Sequence, residues 1–255
     1  MEALRVKDVS KDFGGVHAVS NVSFSVEVGE HLVIIGPNGA GKTTLFNLLN
    51  GQLSPTSGRI YFFGRDITTM STHRRAHLGQ ARSFQIISLF SNLTVLDNTL
   101  ITLHGTKRSR FQMFRPSNRY EHLLTKAQEV LAAVALWEKK DEFVKNIAYG
   151  EQRRLEIALT LAPEPKLLLL DEPSCGLTSA ESADITDMIH ELGGDITVLL
   201  VAHDMDLVFG VAERIIVLHY GEIIADGPPE EIQADPRVKE IYMGIEEGTE
   251  SAAAS

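Results

Sequence analysis

One octapeptide constrains this chain more than any other feature. Gly36-Pro37-Asn38-Gly39-Ala40-Gly41-Lys42-Thr43 follows a continuous apolar run at residues 32–35 and precedes a helical pattern through Leu45, Leu48 and Leu49. This is the phosphate-binding loop GxxxxGK[ST] in its required strand–loop–helix setting. Glycines let the backbone curl so that successive N–H groups converge on an anion, and the following helix adds the positive end of its dipole. Gly36, Asn38, Gly39, Ala40, Gly41 and Thr44 are therefore expected to line a phosphate cradle. Lys42 is expected to place its charge between the β- and γ-phosphates, and Thr43 its hydroxyl on Mg²⁺. The loop predicts an NTPase without saying which kind.

A second apolar run, Leu167-Leu168-Leu169-Leu170, ends in Asp171-Glu172. In open α/β sheets ligands bind beyond the carboxyl ends of the strands, so this pair is expected beside the glycine loop. Asp171 is the candidate to hold Mg²⁺. Glu172 is the candidate to point at the γ-phosphate and polarise the attacking water.

Around these motifs the pattern is α/β. Strands are expected at residues 4–9, 22–28, 32–35, 58–63, 166–170 and 196–201, and helices at 180–192 and 204–211. A terminal hairpin, 214–219 and 222–225, is expected to turn at Tyr220-Gly221. Strands alternating with helices imply a largely parallel sheet. From about 88 to 162 the pattern becomes mostly helical, notably at 120–136 and 152–161, as a block inserted in the α/β core. Residues 246–255 are acidic, then small and polar, and read as a disordered tail.

A length of 255 residues suits one domain with an insertion. The formal net charge of -10 argues against a nucleic-acid partner, whose phosphates need a basic face. The single cysteine, Cys175, forms no internal disulfide, and no Cys/His set has zinc spacing. No apolar run reaches the roughly 18 residues of a membrane-spanning helix. Residues 1–8 carry too many charges for a signal peptide. Any membrane role is thus expected to be peripheral, through a partner. The segment 107–119 interleaves Lys107, Arg108, Arg110, Arg115 and Arg119 with Phe111 and Phe114. It reads as a solvated loop of a variable insertion, or as a contact for lipid headgroups or nucleic acid.

Between loop and acidic pair lies Ile147-Ala148-Tyr149-Gly150-Glu151-Gln152-Arg153-Arg154. It resembles the signature motif of ATP-binding cassette (ABC) ATPases. With the motifs in this order, residues 4–243 resemble a single ABC nucleotide-binding domain. The resemblance implies a P-loop core with an antiparallel β lobe and a helical subdomain at about 88–162. It implies that Phe13 stacks on adenine, and that Gln85 senses Mg²⁺ and the lytic water. It also implies that Gly176-Leu177-Thr178 forms the D-loop and that His203 contacts the γ-phosphate. Two positions depart from the family pattern. Ala148 lacks the signature hydroxyl, leaving the N–H of Gly150 and the helix N-terminus to bind phosphate, and Thr178 replaces an aspartate. Both predict a weaker nucleotide sandwich.

The wording of 148–158, of His203-Asp204-Met205-Asp206-Leu207-Val208, and of 229–244 is similar to the ATPases of branched-chain amino acid importers. Two distinct ATPases serve such importers, and Phe84-Gln85 favours the one with a glutamine loop. The resemblance implies a head-to-tail pair, with itself or a related ATPase, each ATP held by one subunit's loop and the other's signature. Gly150 at a helix N-terminus agrees, being a second anion site on a chain that already has one. The resemblance further implies permease subunits, a solute-binding protein acting indirectly, and a cytoplasmic location at the inner membrane face. A groove at 85–93 is the expected contact with the permease. Relatives that move urea, amides or aromatic acids, exporters or lipid-extracting ATPases, and soluble ABC ATPases of nucleic-acid work are the alternatives. The acidic charge and the lack of heptads count against the last.

Overall fold

The computed structural model describes residues 1–83, 89–105, 118–192 and 194–241. The Phe84-Gln85 segment, residues 107–117 of the basic stretch and the tail 244–255 lie outside the described residues.

The chain opens with two long strands, β1 (Glu2–Phe13) and β2 (Val16–Glu27), which pair antiparallel. Along β2, Val22, Phe24 and Val26 alternate into the core, the period of a sheet with one covered face. Val28 lies past the end of the strand and is exposed. In β1, Asp8 takes a left-handed φ of 51° where the pairing register shifts, so the strand runs on beyond the expected Val9 through a bulge. Next come β3 (His31–Ile35), α1 (Lys42–Asn50), β4 (Ser57–Phe62), β5 (Arg65–Asp66), α2 (Thr72–Ala76) and β6 (Gln80–Arg82). The helical block holds α3 (Val95–Gly105), α4 (Asn118–Ala133) and α5 (Tyr149–Leu161). The core resumes with β7 (Leu167–Asp171), α6 (Ser179–His190), β8 (Thr197–Val201), α7 (Met205–Val211), β9 (Arg214–His219), β10 (Glu222–Gly227) and α8 (Pro229–Ala234).

Two sheets result. One is antiparallel, in the order β2-β1-β4-β5. The other runs β10-β9-β3-β8-β7-β6, parallel except for the β9–β10 hairpin. Alternate residues of its central strands feed two cores. Leu32, Ile34, Leu169 and Leu199 face α1 and the antiparallel sheet, while Val33, Ile35, Leu168 and Leu200 face α6 and α7. Covered faces on both sides explain the unbroken apolar runs of β3, β7 and β8. A third core, with Val95, Leu131, Val144 and Leu155, holds the helical block together.

Register puts the functional segments at the carboxyl end of the central strands. Ile34 of β3 pairs with Val201 of β8, and Val201 pairs with Asp171 of β7. The segments after Ile35, Asp171 and Val201 therefore leave the sheet side by side. Sequence reasoning had no place for β6, since Gln80 and Arg82 are polar. Gln80 is buried and Arg82 partly buried, and both bond internally, Gln80 Nε2 donating to the Leu49 carbonyl at 2.8 Å and Arg82 Nη2 to Asp171. Arg75, almost wholly buried, donates to the carbonyls of Leu48, Leu49, Ile67 and Met70 and so closes the C-terminus of α1. Burial pushes its guanidinium down to about 10.

Candidate functional site

The loop 36–43 runs from the buried end of β3 into α1. Gly41 sits at φ 100°, where an added Cβ would strike the Ala18 carbonyl oxygen. Only glycine fits this entry to the helix. Lys42 folds back over the loop, its Nζ donating to the carbonyls of Gly36 at 2.6 Å and Pro37 at 3.0 Å. Burial lowers the Lys42 ammonium from its ordinary value, while Glu172 and Asp171 oppose that shift. Asn38, Gly39, Ala40, Thr43 and Thr44 line a cavity of about 360 Å³ together with Val16, His17, Ala18, Glu172 and Tyr220. Thr43 is exposed.

A hairpin turn braces this loop. Tyr220 and Gly221 both adopt left-handed φ, 47° and 81°, as a two-residue hairpin turn requires. The Gly221 N–H donates to the Ala40 carbonyl at 2.9 Å, and the Gly221 carbonyl accepts from the Ser20 N–H at 2.8 Å. Three distant segments thus meet at one residue. In the sequence Tyr220 reads only as a hairpin turn, and Val16 and His17, which carry no motif, are not picked out at all.

The acidic pair splits in two directions. Asp171 ends β7 and is buried, its Oδ2 accepting from Arg82 Nη2 at 2.8 Å. Burial raises its carboxyl above the ordinary range, against the pull of Arg82. Glu172 adopts a left-handed φ of 47° and donates its N–H to the Val201 carbonyl at 2.8 Å. A non-glycine residue in that region is uncommon and costs energy that its surroundings must offset. Arg153, reaching from α5, supplies the hold. Its guanidinium donates to the carbonyls of Pro173 (2.9 Å), Glu172 (3.0 Å) and Asp171 (3.3 Å), and pairs with Glu156 at 2.6 Å.

His203 follows β8 and lies with Nδ1 3.6 Å from Glu172 Oε1, its side chain more than half exposed. Asp204 caps α7, its carboxylate accepting from the N–H groups of Asp206 and Leu207 and from the Ser182 hydroxyl at 2.8 Å. Phe13 stands half-exposed at the end of β1, with Lys11 Nζ 5.1 Å from its ring centre. Gln85 lies outside the described residues.

The signature segment opens α5 with Ala148 at the N-cap and no side-chain cap. The Ala148 N–H donates to Glu151 instead, at 3.1 Å. Gly150, read from the sequence as an open anion site, is instead covered by the Glu181 carboxylate at the start of α6, whose Oε1 packs against the Gly150 backbone. Thr178 caps α6, and with Glu181 it forms a capping box. Thr178-Ser179-Ala180-Glu181 spells that box in the sequence, a signal that could have found the contact.

At the carboxyl ends of the parallel strands lie a glycine loop with a lysine, the oxygen donors Thr43 and Asp171, and the Glu172 carboxylate, a set whose chemistry suits a phosphate, a hard cation and a water molecule. Known proteins match it closely. Residues 19–175 match the family model described as ABC transporter, and residues 222–248 that described as branched-chain amino acid ATP-binding cassette transporter. The high-affinity branched-chain amino acid transport ATP-binding protein LivG of Salmonella typhimurium is 38% identical over 250 residues, covering 94% of this chain and 97% of its own length. Among solved structures, the ADP conformation of an ATP-binding cassette of an ABC transporter superposes with a TM-score of 0.84 at 34% identity, covering 96% of this chain and 99% of that one. A dimeric post-hydrolysis cassette bound to ADP and Pi matches with a TM-score of 0.75 at 27% identity, over 88% and 98% of the two chains.

Proposed function

This chain belongs to the ABC transporter family as an ATP-binding, ATP-hydrolysing subunit, and from that premise we propose that it powers import of branched-chain amino acids. The observation that carries the catalytic reading is the convergence of the glycine loop, Asp171-Glu172 and His203 at the carboxyl end of the parallel strands. The match of 222–248 to the branched-chain model supports the cargo.

In this reading Phe13 stacks on the base and the N–H groups from Gly36 to Thr44 receive the phosphates. Lys42 trades the carbonyls of Gly36 and Pro37 for the β- and γ-phosphates. Glu172 accepts a proton from the attacking water, its backbone fixed by Arg153 and Val201. His203 closes onto the γ-phosphate. The Thr43 hydroxyl and the Asp171 carboxylate are hard oxygen donors, the chemistry that suits Mg²⁺. Among the described residues no three His, Cys, Asp or Glu side chains form a metal cage, which fits an ion held largely by phosphate and water. Bound there, Mg²⁺ would neutralise charge building on the phosphates. Gln85 is proposed as a further ligand on the family resemblance alone.

Two chains, or this one and a related ATPase, would share each ATP head to tail, Gly150 of one meeting the γ-phosphate held by the other. Closure would reach permease subunits through the cleft of about 630 Å³ between α2, β6 and the helical block, lined by Arg75, Gln80, Leu89 and Leu159. Among the described residues no helix is long and apolar enough to cross a membrane, so the permease would be the anchor at the inner face. Reconstituted with its permease in vesicles, the chain should drive ATP-dependent accumulation of leucine, isoleucine and valine in the presence of a binding protein. Accumulation of urea or an amide instead would reassign the cargo.

A further inference from the structure

The N-terminus of α5 is occupied by the chain's own carboxylate. Glu181 Oε2 accepts from the Thr178 N–H at 2.9 Å and from the Thr178 hydroxyl at 2.8 Å. Its carboxylate lies over the Gly150 backbone, near enough for that N–H and for Arg154 to favour its charged form. Oε1 lies so close to Gly150 that a Cβ there would collide with it. Two anions therefore compete for one N–H and one helix dipole: this carboxylate, and the γ-phosphate of a nucleotide held by the opposite subunit.

Both departures from the family pattern bear on that competition. Ala148 offers a phosphate no hydroxyl, so Gly150 carries more of the contact. Thr178 donates to Glu181, which an ionised aspartate at the same position could not do; an aspartate would repel it.

Resting on the shared-nucleotide reading, we infer that Glu181 is a specificity-determining residue, a stand-in anion that keeps the signature half-site closed until a γ-phosphate displaces it. A diphosphate in the opposite loop ends too far back to compete, so Glu181 stays on Gly150. A triphosphate brings more charge to the same N–H and takes it over. Once phosphate leaves, Glu181 returns over Gly150 and its charge again faces the helix N-terminus, which removes part of the cost of reopening. The residue thus acts through differential affinity for the open and closed states.

The test uses the full chain carrying Glu172→Gln, with its transporter's second ATPase supplied if it does not pair with itself. Association is followed by sedimentation against ATP and ADP, and loop affinity by a fluorescent ATP analogue on the unassociated chain. Adding Glu181→Gln keeps a capping side chain but removes the charge. The ATP concentration for half-association should fall about two- to fivefold, the worth of a solvent-exposed charged contact. ADP should begin to support association, and the loop affinity should stay the same. An unchanged midpoint, or weaker association, overturns the inference. If the Glu172→Gln chain binds ATP yet never associates, the shared-nucleotide reading itself falls and takes this inference with it.

Discussion

Arg82 Nη2 lies 2.8 Å from Asp171 Oδ2, and the two side chains are only 9% and 5% exposed. The same guanidinium donates to Asn47 Oδ1 at 2.8 Å and Gln52 Oε1 at 2.9 Å. One arginine therefore ties the candidate metal carboxylate to α1 and to the strand that leads into the glutamine segment. Removing one half of a buried pair strands the other charge. Arg82→Met should destabilise the fold by about 3–5 kcal/mol, read as a lower midpoint in urea unfolding. Arg82→Lys should recover only part, since one ammonium cannot serve three acceptors spread around a planar fork.

Glu172 is the proposed base, and its replacement separates binding from chemistry. Glu172→Gln preserves shape and removes the proton acceptor. Phosphate release should fall by about 10²–10⁴-fold while the dissociation constant for ATP stays within a few-fold. Near-normal turnover would assign the role elsewhere.

Phe13 is half-exposed at the end of β1, three residues before Val16, which lines the cavity beside the glycine loop. Phe13→Ala should weaken ATP binding by about tenfold, matching roughly 1–3 kcal/mol for a base–aromatic stack. Phe13→Tyr should bind as well as the parent. Calorimetry with ATP and with inorganic triphosphate separates the effect, because triphosphate has no base to lose.

Asp204 ties α7 to α6 through Ser182. Burial works to raise its carboxyl, but bonds from Ser182, Leu207 and Asp206 prevail and hold it below the ordinary value. A depressed carboxylate stabilises the fold fully above its unfolded pKa, and that support is lost as pH falls through the folded one. Asp204→Ala should cost about 1–2 kcal/mol at pH 7, the worth of an N-cap. The gap between variant and parent should narrow below about pH 4, measured by urea unfolding at both pH values.

The parts of the fold that read plainly from sequence are those where one physical demand dominates. Strands β3, β7 and β8 are covered on both faces, so they are unbroken apolar runs. Gly51, directly after the helical leucines, takes a left-handed φ of 80° and ends α1, the place where a helix favours glycine. Strand β6 stayed hidden because its polar residues bond to partners about thirty or more positions away, Gln80 to Leu49 and Arg82 to Asp171. The site divides the same way. Contiguous motifs expose Lys42, Asp171 and Glu172 because phosphate chemistry fixes their local spacing. Arg153 and Glu181 act across gaps of about twenty residues or more, on Glu172 and Gly150. No periodicity records such a distance, and only the capping box hinted at the second.

The strand order also sets a timetable. β3, which launches the glycine loop, is flanked by β8 on one side and β9 on the other, and the loop's last brace is Gly221. All three come from the final quarter of the chain. While the ribosome is still making residues before 197, the phosphate loop has neither neighbour, and a nascent chain stalled there should not retain ATP. Competence to bind the fuel arrives abruptly, with the closing hairpin, so an unfinished copy cannot burn nucleotide.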